Sequence, residues 1–162
     1  EDLSALGAMV EAIAATGAAG CSIEDYRPDT QSIDPLERAV ARVGAAAEAA
    51  APSGLVLTAR AEAFLYTDAD LDEVLERLVR FSEAGADVVY APGLRERSDI
   101  ARVVGEVDCP VNVLLWPGGP DVGDLARLGV RRISTGGALM RDAYAAMEHS
   151  AARLLPGVRG SE

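Results

Sequence analysis

Polar and charged side chains follow each short apolar run of this sequence, and they are the residues whose types could support catalysis. In chain order they are Glu24 and Asp25, Arg60 and Glu62, Pro92 and Gly93, Asn112, residues 116–120 and residues 134–137. An arginine directly after an apolar run needs a partner, because an unpaired buried charge is strongly unfavourable. Arg60 therefore either pairs with Glu24 or Glu62 for structural reasons or binds an anionic substrate. Its position alone favours neither interpretation.

The other candidates offer little conventional catalytic chemistry. Residues 134–137 (Ser-Thr-Gly-Gly) either cradle a phosphate with backbone N–H groups or form a plain tight turn. His149 is the one histidine and lies far along the last predicted helix, so we expect it to be exposed. Cys21 and Cys109 have no CxxC or Cys/His partner motif, so we expect buried free thiols rather than a zinc site.

Two alternating patterns must position these side chains. Short runs rich in Val, Ile and Leu predict buried strands of a parallel sheet, and longer amphipathic stretches predict helices. The predicted strands are residues 20–24, 55–60, 87–91, 111–115 and 131–134, and the predicted helices are residues 3–16, 35–51, 70–84, 98–107, 121–128 and 138–155. Asp34 is predicted to cap the second helix. Gly17, Gly85 and Gly129 end three helices just before a strand, which is typical of βαβ units.

This alternation predicts an α/β fold with five parallel strands in a single domain, residues 1–162. Two architectures fit it. One is a small doubly wound parallel sheet, and the other is a (β/α)₈ TIM-barrel type fold of which the chain holds the C-terminal five β/α units only. A doubly wound sheet needs a glycine-rich loop after its first strand, but residues 25–29 contain no glycine. The first helix also lacks a preceding strand, so we favour the barrel with its N-terminal strands absent.

Composition argues against several classes of function. The net charge of −11 disfavours nucleic acid and anionic membrane surfaces, because both require clustered Lys and Arg. No apolar stretch reaches the roughly 18 residues that a membrane-spanning helix needs. The first residues show no signal-peptide pattern and the cysteines suit a reducing compartment, so we expect a cytoplasmic protein. The chain starts inside a predicted helix without an initiator Met, so we also expect residues upstream of Glu1.

Several segments in series resemble one known group of enzymes. They are residues 11–25, 57–63, 82–94, 110–113 and 128–136, which include Ile-Glu-Asp at 23–25, Ala-Arg-Ala-Glu at 59–62, Ala-Gly-Ala-Asp at 84–87 and Asn-Val at 112–113. In order and spacing they are similar to the isocitrate lyase / phosphoenolpyruvate mutase superfamily over nearly the whole chain. The resemblance implies a (β/α)₈ barrel that this chain enters just before its fourth strand.

The same resemblance implies roles for particular residues. Glu24 would hold the water shell of a bound Mg²⁺, whose direct Asp ligands lie on earlier strands that this chain does not contain. Arg60 would bind the substrate carboxylate or the developing oxyanion, and Asn112 would bind a substrate carboxylate. We count Arg60 and Glu24 as the catalytic pair, and we add Glu62 to the substrate-binding set with Arg60 and Asn112. The resemblance also implies a homo-oligomer.

The expected function is that of a Mg²⁺-dependent, lyase-like enzyme that breaks a C–C bond of a small α-oxo or 2-hydroxy carboxylic acid through an enolate. Two alternatives stay open: a mutase acting on phosphoenolpyruvate or phosphonopyruvate, and a non-catalytic barrel fragment. Lyases acting on isocitrate carry a Cys-containing loop after the fourth strand and a glutamate after the sixth. Here residues 26–32 lack Cys, and Pro92 replaces the glutamate. These departures, with the apolar residues 114–116, argue against tricarboxylate substrates.

Overall fold

The computed structural model describes residues 2–154 and arranges five strands in one parallel sheet. Two further short strands form a separate antiparallel pair, so the described residues contain seven strands: β1 (Gly20–Glu24), β2 (Tyr26–Arg27), β3 (Ser32–Ile33), β4 (Val56–Arg60), β5 (Val88–Tyr90), β6 (Val111–Leu114) and β7 (Arg132–Ser134). The sheet runs β1-β4-β5-β6-β7, and each neighbouring pair is parallel. The five parallel strands predicted from the sequence are therefore confirmed. The predicted domain limits 1–162 and the predicted helix end at Leu155 extend outside the described residues.

The order of the strands distinguishes the two architectures. In this sheet the strands follow one another in chain order, so every crossover steps in the same direction. A doubly wound sheet instead reverses direction beside its first strand. The described strands thus have the order of a (β/α)₈ barrel segment, and the sheet they form is open rather than closed.

Helices connect the strands and cover one face of the sheet. They are α1 (Leu3–Ala15), α2 (Leu36–Ala50), α3 (Ala63–Tyr66), α4 (Leu71–Glu83), α5 (Arg97–Glu106), α6 (Val122–Arg127) and α7 (Ala138–Leu154). Helix α4 shows the sequence logic well: Asp70 accepts the N–H of Glu73 at its start, and one side buries Leu78 and Phe81. Within residues 2–154, no helix has both the length and the apolar character needed to cross a membrane.

The two faces of the sheet have different chemistry because side chains alternate along a strand. Ile23, Leu57 and Ala59 are buried in the hydrophobic core. Burial of a side chain such as Leu57 contributes about 1.5–3 kcal/mol. The alternate positions Thr58 and Arg60 lie on the other face, where they line an open cleft.

A left-handed glycine makes the short turn between α4 and β5. Gly85 has φ +102°, a conformation that side-chain-bearing residues rarely adopt, and a Cβ there would lie 3.0 Å from the Cβ of Ala47. Gly17 and Gly129 also have positive φ at the ends of α1 and α6. The predicted glycine-terminated helices are confirmed.

Asp34 does not cap helix α2, so that prediction is wrong. The helix begins at Leu36, and Pro35 occupies the capping position without a side-chain hydrogen bond. The carboxylate of Asp34 is fully buried and contacts Nη1 of Arg42 at 2.9 Å and Nε of Arg38 at 3.2 Å. Two guanidinium groups contact this carboxylate, and an attraction between full charges replaces the attraction to the N–H dipoles at the helix start.

Two smaller differences concern the region after β1 and the cysteines. Residues 26–32, expected to be a loop, belong to a segment that forms the antiparallel pair β2–β3, in which Tyr26 pairs with Ile33. Strands of two residues are too short to show an alternating pattern in the sequence. Cys21 and Cys109 are free, as expected, but they are only partly buried.

Candidate active site

A cleft of 640 Å³ lies on the face of the sheet opposite the core. It is lined by Ala19, Gly20, Cys21, Ser22, Val56, Thr58, Arg60, Tyr90, Asn112, Arg132 and Ser134. The strand register places polar residues in one row across the sheet. Glu24 pairs with Arg60, Arg60 with Tyr90, Tyr90 with Asn112, and Asn112 with Arg132. The parallel sheet thus brings together polar residues that are far apart in the sequence.

Arg60 is the centre of a charged cluster that consists of Glu24, Arg60 and Glu62. Its Nη1 lies 2.7 Å from Oε1 of Glu24, and its Nε lies 2.7 Å from Oε1 of Glu62. The guanidinium also lies over the ring of Tyr90, with Cζ 5.2 Å from the ring centroid. The structure thus brings Arg60 together with both predicted carboxylates.

The three members of the charged cluster differ in their access to the cleft. The side chain of Glu24 is 41% exposed and that of Arg60 is 26% exposed, but that of Glu62 is only 2% exposed. Burial raises the pKa of Glu62 above the ordinary glutamate value, although the charge of Arg60 acts in the opposite direction. Glu24 and Arg60 can therefore meet a ligand, whereas Glu62 lies behind Arg60.

Tyr90, Asn112 and Ser134 form a neutral cluster next to Arg60. The amide Nδ2 of Asn112 donates to Oγ of Ser134 at 3.1 Å. The Oδ1 atom of Asn112 is buried and has no hydrogen-bond partner among the described residues. Burial raises the pKa of the Tyr90 phenol, while a hydrogen bond with Ser134 opposes that shift. An unused acceptor beside a cleft leaves hydrogen-bonding capacity for a ligand that brings its own donor.

A buried ion network supports the end of β1 behind the charged cluster; its members are Asp25, Asp34, Arg42 and Arg77. Arg42 bridges the backbone oxygen of Glu24, at 2.8 Å, and Oδ2 of Asp34, at 2.9 Å. Nη1 of Arg77 lies 3.2 Å from Oδ2 of Asp25 and donates to the backbone oxygen of Asp34 at 3.0 Å. Burial raises the pKa of Asp25, and the Glu62 N–H and Arg77 counteract that shift.

The predicted loop 116–120 lies in a different place. It lines a second cleft of 460 Å³ that shares no lining residue with the first. There the guanidinium of Arg95 stacks over the ring of Trp116 at 4.0 Å. Residues 134–137 form a tight turn, in which Gly136 has φ +51° and the N–H of Ala138 donates to the oxygen of Thr135. His149 is exposed, as predicted.

Sequence reasoning missed Tyr90, Arg132 and Arg77. Tyr90 ends an apolar strand and reads as a core residue, although its position in register with Arg60 assigns it to the cleft face. Arg132 donates through Nη2 to Oγ1 of Thr58 at 2.9 Å, a contact between residues that are 74 positions apart. Arg77 lies on the buried side of α4. A charged residue on an otherwise apolar helix face was the available signal for it.

The described residues supply little of a metal site. Within residues 2–154, no group of three or more His, Cys, Asp or Glu side chains is arranged to hold a metal ion. The carboxylates of Asp25 and Glu62 are already bound to Arg77 and Arg60. Glu24 also contacts Arg60, but its side chain is 41% exposed, so it suits one position of a Mg²⁺ water shell, because Mg²⁺ prefers oxygen ligands and retains several waters.

The chain is similar to several known proteins. A sequence model of the family described as phosphoenolpyruvate phosphomutase matches residues 1–155. An uncharacterised protein of Mycobacterium tuberculosis is 31% identical over 151 residues, which cover 93% of this chain and 57% of that protein. Oxaloacetate decarboxylase of Pseudomonas aeruginosa is 33% identical over 104 residues, which cover 62% of this chain and 35% of the enzyme.

A solved structure agrees with these sequence matches. The crystal structure of a protein assigned to the lyase/mutase class from Burkholderia cenocepacia J2315 superposes with a TM-score of 0.87 and 40% sequence identity. The superposition covers 96% of this chain and 58% of the Burkholderia chain. The chain thus spans somewhat more than half the length of that protein, and 57% of the Mycobacterium relative.

Proposed function

The chain belongs to the phosphoenolpyruvate phosphomutase family, and on that basis we propose that the whole protein is a Mg²⁺-dependent lyase acting on a small α-oxo or 2-hydroxy carboxylic acid. The resemblance found in the sequence to this superfamily is confirmed. The observation that carries the proposal is the guanidinium of Arg60, which faces a cleft while two carboxylates from neighbouring strand ends hold it. Oxaloacetate is the substrate to test first, because a relative bears the name oxaloacetate decarboxylase.

The proposed reaction on oxaloacetate begins with rupture of the C3–C4 bond. Its electron pair moves toward the C2 carbonyl and gives the enolate of pyruvate, while the C4 carboxylate leaves as CO₂. Carbon C3 then takes up a proton, and pyruvate is released. Negative charge therefore builds up on the C2 oxygen, and a fixed cation beside that oxygen lowers the barrier.

Arg60 is the proposed cation for that oxygen. Glu24 and Glu62 engage its Nη1 and Nε, and Nη2 can donate to the substrate. Because two carboxylates fix the guanidinium, little reorganisation is needed when the charge develops. Asn112, two strands along the row from Arg60, is the proposed ligand of a substrate carboxylate through the second N–H of its Nδ2 amide, because the first donates to Ser134. Glu62 does not line the cleft, so its proposed place is behind Arg60.

Glu24 would hold part of the water shell of Mg²⁺, and the direct ligands would come from outside this chain. The metal, when bound, would supply a second positive charge close to the developing oxyanion. Glu24 would then interact with both that water shell and the guanidinium of Arg60.

The decisive experiment is a decarboxylation assay on the full-length protein. Purified protein with Mg²⁺ and oxaloacetate should release pyruvate, measured with lactate dehydrogenase and NADH, faster than Mg²⁺ alone. A chelator should abolish the protein-dependent rate. We also expect no cleavage of isocitrate, because residues 114–116 are apolar. A protein-dependent rate of zero with oxaloacetate and with other small α-oxo or 2-hydroxy acids would refute the lyase proposal.

A mutase is the second candidate, and the description of the matching family favours it. Conversion of phosphonopyruvate to phosphoenolpyruvate would be seen by phosphorus NMR as a change from a phosphonate to a phosphate ester signal. Inactivity in both assays would support the third interpretation, a barrel segment without catalytic function.

We propose further that the protein forms a homo-oligomer. Helix α7 exposes apolar side chains along much of its length, among them Leu139, Met140, Tyr144 and Met147, which are 54–69% exposed. Apolar surface of this extent is typical of contact regions. Light scattering on the full-length protein should give a mass that is a multiple of the subunit mass, and a Met140→Lys/Met147→Lys variant should lower it.

A further inference from the structure

Asp25 is buried behind the charged cluster, with 2% of its surface exposed. Its Oδ1 accepts the backbone N–H of Glu62 at 2.8 Å. Its own backbone N–H donates to the carbonyl oxygen of Arg60 at 3.2 Å. Asp25 therefore holds the segment that contains Arg60 and Glu62 at two points, one on each side of Ala61.

The Glu62 backbone needs this support because it lies beyond the sheet. The N–H of Ala61 donates to the oxygen of Tyr90 at 2.9 Å, as a continued strand would, but the N–H of Glu62 donates only to the Asp25 side chain among the described contacts. Glu62 has φ −92° and ψ 0°, outside the extended range, and leads into helix α3. A side-chain acceptor therefore replaces the missing strand partner.

We propose that Asp25 is a positioning residue for the active site: it fixes the backbone of Glu62, whose carboxylate in turn orients the guanidinium of Arg60. The chain of contacts is continuous, from Asp25 Oδ1 to the Glu62 N–H and from Glu62 Oε1 to Arg60 Nε, with distances of 2.8 and 2.7 Å. The effect on turnover rests on the proposed function, whereas the effect on the Arg60 geometry does not.

Arg77 anchors Asp25 from the opposite side. Its Nη1 lies 3.2 Å from Oδ2 of Asp25, and its side chain is only 10% exposed. Loss of Asp25 alone would leave this guanidinium buried without its carboxylate, which is strongly destabilising. The acceptor function of Asp25 must therefore be tested in a background without that charge.

Two variants in an Arg77→Gln background isolate the acceptor. Asp25→Asn/Arg77→Gln keeps a side-chain oxygen for the Glu62 N–H, whereas Asp25→Ala/Arg77→Gln removes it. Neither variant has a charge at residue 25 or 77, so they differ only in the side-chain amide of residue 25, whose oxygen can accept the Glu62 N–H. The measurements on the full-length protein are amide hydrogen exchange at Glu62, the NMR signal of Arg60 Nε–H, and kcat and KM with oxaloacetate.

The Asn variant should keep the slow exchange of Glu62 and the Arg60 Nε–H signal. The Ala variant should lose both, and its kcat/KM should be lower by about a hundredfold, the effect expected of a roughly 1 Å misplacement of a catalytic group. Equal behaviour of the two folded variants in hydrogen exchange and NMR would overturn the inference. Should both variants fail to fold, the wild type decides: Glu62 must exchange as slowly as Ala59 in β4, and loop-like exchange would overturn the inference. If the wild type does not turn over oxaloacetate but the hydrogen-exchange and NMR results are as expected, the proposed substrate is refuted and the positioning role of Asp25 is not.

Discussion

The charged cluster and the neutral cluster lie side by side in one row across the same sheet, but they are held in opposite ways. Arg60 is bound by two carboxylates at 2.7 Å, with a buried ion network behind them. Asn112 has a single side-chain hydrogen bond to Ser134, and its buried oxygen has no partner among the described residues. One cluster is fixed before a ligand arrives, and the other still has hydrogen-bonding capacity.

This difference indicates a division of labour between the two clusters. A fixed guanidinium favours charge that develops during the reaction, so its loss should lower kcat/KM chiefly through kcat. A neutral group with unused hydrogen-bonding capacity contributes mainly to ground-state binding, so its loss should raise KM. Substitutions in each cluster, and in the buried ion network behind the charged cluster, test this comparison.

The largest effect on stability is expected in the buried ion network. Asp34→Ala should lower the free energy of unfolding by about 3–5 kcal/mol, because it removes the fully buried carboxylate that Arg38 and Arg42 contact. The matched control is Asp29→Ala, which removes a 67% exposed carboxylate that pairs with Arg27, and which should leave stability nearly unchanged. Urea unfolding of the full-length protein measures both. Similar losses in the two variants would show that the network does not support the fold.

Glu62→Gln should change the pH profile of the reaction. Burial raises the pKa of Glu62, so this carboxylate takes up a proton at a higher pH than an ordinary glutamate. Protonation weakens its hold on Arg60, and kcat/KM of the wild type should fall as the pH is lowered through that pKa. The variant should lack this acidic limb, and its kcat/KM at neutral pH should be lower by about tenfold, the equivalent of one charge-assisted hydrogen bond. An unchanged acidic limb would assign it to another group.

The carboxyl group of Glu62 should affect stability in the opposite direction to activity: activity should fall as the pH is lowered, whereas stability should fall as the pH rises. A raised folded-state pKa means that the folded protein binds the proton more tightly than the unfolded chain. The contribution of Glu62 to stability is therefore fully present below its unfolded pKa and is lost as the pH rises through its higher folded pKa. Relative to Glu62→Gln, the wild type should lose stability over that rise in pH. Unfolding free energies of both proteins across the acidic range check the sign, and a relative gain would contradict it.

The smallest effect is expected in the neutral cluster. Ser134→Ala removes the partner of Asn112 Nδ2 and should cost about 0.5–1.5 kcal/mol of stability, with a few-fold rise in KM and little change in kcat. Ser98→Ala, at an exposed serine that bonds Asp99, serves as the control and should be nearly neutral. A large fall in kcat for Ser134→Ala would remove the distinction between the clusters.

Much of this arrangement could be predicted from the sequence, because it follows from local patterns. Apolar runs and glycine-terminated helices located all five strands of the sheet, strand ends located Glu24 and Arg60, and the family resemblance pointed to Asn112, the second residue of β6. The face of the sheet on which a side chain lies depends on the strand register, which the sequence does not reveal. The contact between Arg60 and Glu62 was therefore expected only as one of two alternatives for Arg60. The buried position of Glu62 behind Arg60 was not foreseen.

What the sequence did not predict depends on contacts between distant residues. Asp34 fits the pattern of a helix cap, and only the packing of Arg38 and Arg42 around it shows a different role. The contact of Arg77 with Asp25 joins residues 52 positions apart, and no local pattern reports such a pairing. Tyr90 is similar: it lies within a predicted strand, and only the register of that strand places it beside Arg60.

The central claim is that Arg60 is a substrate-binding cation held in place by carboxylates, rather than part of a purely structural ion pair. Arg60→Lys tests it most directly, because lysine keeps the charge but cannot reproduce the planar guanidinium fork. We predict that the full-length variant loses roughly 2–4 kcal/mol of transition-state stabilisation, on the order of a hundredfold or more in kcat/KM with oxaloacetate, with only a small change in Tm. Near-normal kcat/KM together with a clearly lower Tm would contradict the claim and leave Arg60 as a structural partner of Glu24 and Glu62.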